Sequence, residues 1–297
     1  MKKRTILILT FAALLIVAPA CGGNADTAPA AVEDIPAEEE PAEEKASEQQ
    51  QSSNSGPCAN FLFPLAEGNT WVYEADSIDE NGNPTVIEYT WTVSGAQGNT
   101  VTLDTSFPES GTNISADITC SDGAIQNFPL TVSNISFGDV QGAIQYTYVS
   151  GQYLPSAAQL ESGDWDDTWQ TVITSSGTIT TGYEGQSMTI TMEESPMTMN
   201  WEILERDVSV TVPAGSFDNA IRIRQELIYE LNSLSIDTVD LPMDISTTMI
   251  YETDYWFVPE VGMVKTEIQS GNVDLLGSNF PIDMTSTTQL VSSSLLD

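Results

Sequence analysis

The chain contains no histidine, and only 8 of its 297 residues are lysine or arginine. Each shortage removes a class of function. Without histidine, Ser-His-Asp and Cys-His catalysis cannot be assembled in their usual form, and every His-ligated zinc, iron or copper site is excluded. Against the 8 cations stand 43 acidic residues, a net charge of −35. Such a surface repels the phosphates of nucleic acids and the head groups of anionic lipids, so nucleic acid is excluded as a partner. It leaves room for cations or cationic partners, and it is equally what a soluble surface built from Asp, Glu, Ser and Thr would carry. A long helical period is missing too. After residue 20 no stretch has the ~18 uncharged apolar residues of a membrane-spanning helix.

What is present begins with an address. Lys2, Lys3 and Arg4 precede an apolar run from Thr5 to Ala20, shorter than the ~20 residues a spanning helix needs. A basic start, a short apolar core and small residues before a cut describe a signal peptide over residues 1–20. Ala18-Pro19-Ala20 stand before Cys21 and Gly22-Gly23 after it, which resembles a lipobox although Ala18 stands where Leu is usual. Cys21 is therefore the expected lipidation site. Its acyl chains would hold the mature chain to a membrane of the cell envelope, facing away from the cytoplasm. Residues 21–57 are rich in Pro, Glu and Ala, with no aromatic residue, and read as a disordered acidic tether. Two cysteines remain, Cys58 and Cys120. An exported protein meets an oxidising compartment, so a disulfide between them is expected.

Residues 58–297 alternate apolar and polar side chains, as in Val86-Ile87-Glu88-Tyr89-Thr90-Trp91-Thr92-Val93, and the runs are rich in Thr, Val, Ile and aromatics. Turn clusters separate them, among them Asn81-Gly82-Asn83-Pro84, Ser121-Asp122-Gly123 and Ser175-Ser176-Gly177. Segments Met188–Met192, Met197–Leu204 and Val208–Val212 read as three separate strands. Pro155 to Leu160 suits one or two helical turns. About a dozen strands with short links predict an all-β domain: a large antiparallel sheet curled into a barrel, a half-barrel or a sandwich.

Three motifs carry a family resemblance. Phe61-Leu62-Phe63-Pro64-Leu65-Ala66-Glu67-Gly68-Asn69-Thr70-Trp71-Val72-Tyr73 opens the domain. Val212-Pro213-Ala214-Gly215-Ser216-Phe217 and Tyr255-Trp256-Phe257-Val258-Pro259-Glu260-Val261-Gly262-Met263 follow in that order. Together they resemble the TapB-like family of exported bacterial β-proteins and lipoproteins, a domain of unknown function. The resemblance implies an antiparallel β domain similar to the half-barrels of the lipoprotein carriers LolA and LolB, and brings no catalytic residues. Physically, the second and third motifs read as strand-ending turns.

Candidate sites are few. Met188 and Met192 lie on one alternating stripe, Met197, Met199 and Trp201 on another. They suit ordinary core packing or the lining of an apolar pocket. Arg222 and Arg224 share one face of a strand and suit either an anion clamp or cross-strand pairing with carboxylates. Asp164, Asp166 and Asp167 could offer oxygen ligands to a structural calcium ion; no other cofactor is expected. The leading expectation is a non-enzymatic lipoprotein binding an apolar ligand or an envelope partner protein. A structural or adhesive module is the second reading, and a carbohydrate-active domain the third.

Overall fold

The computed structural model describes residues 58–78, 83–127, 132–137, 140–162, 166–183, 186–231, 234–236, 247–275, 278–282 and 286–296. The signal peptide, Cys21 and the tether lie outside the described residues, as does Asp164. The strands are β1 (Thr70–Ile78), β2 (Pro84–Gln97), β3 (Thr100–Phe107), β4 (Thr112–Ser121), β5 (Ala124–Ile125), β6 (Val132–Phe137), β7 (Val140–Gly151), β8 (Thr168–Tyr183), β9 (Gln186–Val212), β10 (Gly215–Leu231), β11 (Leu234–Ile236), β12 (Thr247–Val258), β13 (Gly262–Leu275), β14 (Ser278–Ile282) and β15 (Thr287–Ser293). One helical turn, α1 (Ala157–Leu160), interrupts them. Ser156 caps it, accepting from the Gln159 amide, while the Gln159 side chain accepts from the Ser156 amide.

All strands pair antiparallel in one large sheet, in the order β5-β4-β3-β2-β1-β15-β13-β12-β10-β9-β8-β7-β6, with β11 beside β9 and β14 beside β13. The domain is all-β, and the sheet is not closed into a barrel: among the described residues no ladder joins β5 to β6. At one corner Ile125 of β5 bridges Leu154, in the link that follows β7. Two features hold that corner. A disulfide joins Cys58 to Cys120 on β4. Asn60, fully buried, donates from Nδ2 to the Gly123 carbonyl on one side and the Pro155 carbonyl on the other, at 2.7 and 2.8 Å. Its Oδ1 accepts from the Leu62 and Phe63 amides, so all its hydrogen-bonding capacity goes into the clasp.

The motif residues then make the core. Phe63 stacks on Trp71 at 4.8 Å and meets Trp91 edge-on at 5.8 Å. Trp71 Nε1 donates to the Val261 carbonyl and the Tyr73 hydroxyl to the Met263 carbonyl, which ties the first motif to the third. Gly262 sits at φ +114°, and a Cβ there would press on Phe63 and Trp71 at 3.0 Å. The turn after Val258 therefore needs glycine for both its backbone and its packing. The second motif turns between Val212 and Gly215, and the Ala214 amide donates to the Leu290 carbonyl.

Two expectations are corrected. Ser175-Ser176-Gly177 is no turn; it lies inside β8, at a register shift against β9. Glycine serves close strand approach there, since a Cβ at Gly177 would collide with the Ala143 carbonyl. The three strands expected between Met188 and Val212 are one continuous strand, β9. Glu193-Glu194-Ser195-Pro196 resembles a break, but Pro196 pairs with Thr174 beside that register shift, an irregularity where a missing N–H is tolerated.

Candidate functional site

The methionine stripes lie on the interior face of the long strands. Met197, Met199 and Trp201 alternate along β9, and Met192 faces the same core; all four are buried. Met188 is in β9, paired with Thr181, and its side chain lies outside the described residues. Two zones differ along this face. Around Trp201 the packing is closed. Tyr153 meets its ring edge-on at 4.9 Å, Trp169 lies parallel at 5.9 Å, Tyr255 tilts at 5.5 Å, and its Nε1 donates to the Thr171 hydroxyl.

One row along, Thr171, Met199, Leu227, Tyr251 and Gly271 lie opposite one another across β8, β9, β10, β12 and β13. Leu227 is only half-buried although its interior-face neighbours Gln225 and Tyr229 are buried. Tyr251 is 3% exposed, and its hydroxyl has no hydrogen-bond partner among the described residues. Gly271 adds no side chain beyond it. Burial pushes the Tyr251 phenol up to about 12, so at neutral pH it keeps its proton and can donate. An orphaned buried hydroxyl costs roughly 1–3 kcal/mol unless something outside the chain satisfies it. In the next row Tyr229 has partners: its hydroxyl lies 2.6 Å from the Ser175 hydroxyl and 3.8 Å from the Met192 sulfur.

The opposite face carries the arginines, and the anion-clamp reading is corrected there. Arg222 and Arg224 grip Asp254 of β12, a carboxylate with 0% side-chain exposure. Asp254 Oδ2 accepts from Arg222 Nε and Nη2 at 3.1 and 2.6 Å and from Arg224 Nη2 at 3.2 Å; Oδ1 accepts from Arg224 Nε at 2.8 Å. The clamp is filled by the chain's own carboxylate, which the register explains, because Arg224 lies opposite Asp254. Burial alone would raise the Asp254 carboxyl, but the two guanidinium groups outweigh it and hold it below its usual range. Trp256 completes the cluster, with Arg222 over its ring at 5.3 Å and Lys265 at 4.7 Å. Those three residues are register partners across β10, β12 and β13, and Lys265 also pairs with Glu267 at 2.9 Å.

The aspartates proposed for calcium are only partly placed. Asp166 is exposed, and Asp167, at φ +59°, accepts from Arg206 at 2.6 Å, which commits one of the expected ligands to an ion pair. Among the described residues no group of three or more His, Cys, Asp or Glu is placed to hold a metal ion. No described helix is long and apolar enough to cross a membrane. Sequence reasoning missed three residues. Tyr251 sits in an ordinary alternating run, and Asn60 and Asp254 acquire their roles from partners 30 to 95 positions away.

No family model matches the chain, so the TapB-like resemblance is not confirmed, and no curated protein matches it. Two solved structures are similar. One is an exported-protein candidate with a YmcC-like fold from Bacteroides fragilis: 16% identity, 79% of this chain, 99% of that chain, TM-score 0.40. The other is a lipoprotein candidate from Parabacteroides distasonis: 18% identity, 79% of this chain, 99% of that chain, TM-score 0.38.

Proposed function

We propose that the chain is a lipid-anchored protein of the cell envelope whose β domain binds an apolar ligand, without catalysis, at the methionine-rich end of its interior. The address rests on Cys21 behind Ala18-Pro19-Ala20, and the reach on the acidic tether that follows. The observation that carries the binding site is the Tyr251 hydroxyl, buried and unpartnered beside the half-buried Leu227. A ligand with an apolar body and one hydrogen-bonding group fits that pair, since the body covers Leu227 and Met199 and the polar group meets the phenol. Methionine suits such a wall because its unbranched thioether adapts to varied shapes.

The closed packing around Trp201 supports the second reading, a structural module whose interior is simply a core. One experiment separates them. The full chain carrying Cys21→Ser is purified without detergent, inspected by native mass spectrometry for retained lipid, and titrated with a long-chain fatty acid. Binding is expected, and Tyr251→Phe should weaken it about 5- to 10-fold, the loss of one hydrogen bond. The same substitution should leave the ligand-free domain as stable or more stable, because it removes an orphaned polar group. Absence of any retained or added lipid, with Tyr251→Phe merely stabilising, leaves the plain core.

A further inference from the structure

We infer that the open edge of the sheet at β6 is a self-association surface, where a second copy of this chain adds its own β6 and continues the sheet. The first observation is the distribution of charge. Strands β6, β7 and β8 are neighbours at one end of the sheet and contain no Asp, Glu, Lys or Arg. Of the other strands, β1, β2, β3, β4, β9, β10, β12 and β13 each carry at least one such residue; β15 and the short strands β5, β11 and β14 carry none, and β6, β7 and β8 are the only three consecutive charge-free strands in the described order of the sheet. In a chain of net charge −35, two copies approaching by most other routes bring carboxylates together. That repulsion is screened only beyond about 8 Å at physiological salt. The β6 end lets two backbones come to the ~4.8 Å spacing of paired strands without opposing strand charges.

The second observation is the contrast between the two ends. At the β4 end, Asn127 covers the edge: its Oδ1 accepts from the Thr119 amide and its Nδ2 donates to the Asp117 carbonyl. Asp117 adds a charge there, and the disulfide and Asn60 clasp close the same corner. Proteins guard edge strands by such means, with charges, covers and short pairings. β6 has β7 on one side, and no described strand pairs with its other side. Its sequence, Val132-Ser133-Asn134-Ile135-Ser136-Phe137, has neither the charge nor the proline that would discourage pairing. Past the stretch of β7 that pairs with β6, Val149 and Tyr148 are uncharged and exposed, at 53% and 37%.

The occupant is a second copy because an identical strand matches β6 in length and brings the same charge-free neighbours with it. An antiparallel pairing of two β6 strands about Ile135, which sets Asn134 of one copy opposite Ser136 of the other, is self-complementary about a two-fold axis. Six residues bury less than a standard interface, so the dimer is weak, with a dissociation constant of about 10–100 μM.

The test uses the full chain with Cys21→Ser, examined by sedimentation velocity from about 1 to 300 μM, a range that brackets this expected constant. A monomer–dimer equilibrium is expected. Asn134→Lys/Ser136→Lys and Asn134→Asp/Ser136→Asp should each be monomeric. Their equimolar mixture should dimerise again, because lysine then faces aspartate across the axis. Hydrogen exchange of the unmodified protein gives a readout independent of these variants folding: β6 amides should gain protection as concentration rises. A monomer at every concentration with unchanging β6 exchange overturns the proposal. So does a dimer that both charged variants leave intact, or a mixture that fails to restore it.

Discussion

Replacing Asp254 by asparagine keeps the shape of the side chain and removes only its charge. Two guanidinium groups then face a neutral amide. One can still donate to the remaining oxygen, while the other meets the amide's own N–H donors. The native carboxylate accepts four hydrogen bonds between 2.6 and 3.2 Å and is closed off from water. Breaking a buried charge pair from one side costs about 3–5 kcal/mol. The arginines soften that figure. Their side chains are 28% and 34% exposed, so water can recover part of the loss, and Arg222 has Glu205 at 3.8 Å in reserve. A cost of about 2–3 kcal/mol follows, which lowers the melting temperature of a domain this size by roughly 5–10 °C.

The pH dependence gives this estimate a second check. The folded carboxyl titrates below 3.8 because Arg222 and Arg224 favour its charged form. A depressed folded value stabilises the native state above the unfolded value, and that contribution is lost as pH falls through the folded one. The gap between the native protein and Asp254→Asn should therefore be full from about pH 5 upward and shrink as acid protonates Asp254. Urea melts at a series of pH values measure it, with an unchanged slope showing that both proteins unfold alike. A gap under about 0.5 kcal/mol at pH 7, the size of an ordinary surface substitution, refutes the buried-pair argument. A gap that stays constant down to the lowest pH at which both proteins remain folded refutes the assignment to the Asp254 charge.

Gly262→Ala should destabilise the domain by about 1–3 kcal/mol, because the residue needs a left-handed backbone and its Cβ meets Phe63 and Trp71 at 3.0 Å; an unchanged urea midpoint speaks against that packing. The unreduced protein should resist alkylation at Cys58 and Cys120. Changing both to serine should cost about 4 kcal/mol, from a cross-link spanning 62 residues; a melt matching the native one would contradict the chain-entropy account. Cys21→Ser should move the protein from the membrane fraction to the soluble one. Retention on membranes after a high-salt wash would place the anchor elsewhere.

The sequence by itself determined the class of fold. Period-two alternation survives in β2, β10 and β12 because one face of each strand must be apolar to reach the core, and that demand is written residue by residue. The turn at Pro213-Ala214-Gly215 was legible for a similar reason, since proline and glycine restrict the backbone locally. Only the tertiary structure decided what depends on distant partners. Ser175-Ser176-Gly177 has turn chemistry, yet neighbouring strands on both sides hold it extended, and Gly177 makes room for Ala143. Arg222 and Arg224 announced an anion site, and whether that anion came from outside or from Asp254 was fixed by strand register across β10 and β12. Asn60 drew no notice in the sequence, because Gly123 and Pro155, the carbonyls its amide meets, lie 63 and 95 positions away. Tyr251 carries no mark in its own segment, because a hydroxyl is left without a partner by what surrounds it after folding. Alternation is a local property, readable along the chain; register, closure and satisfaction of buried polar groups arise between segments, and the chain order does not display them.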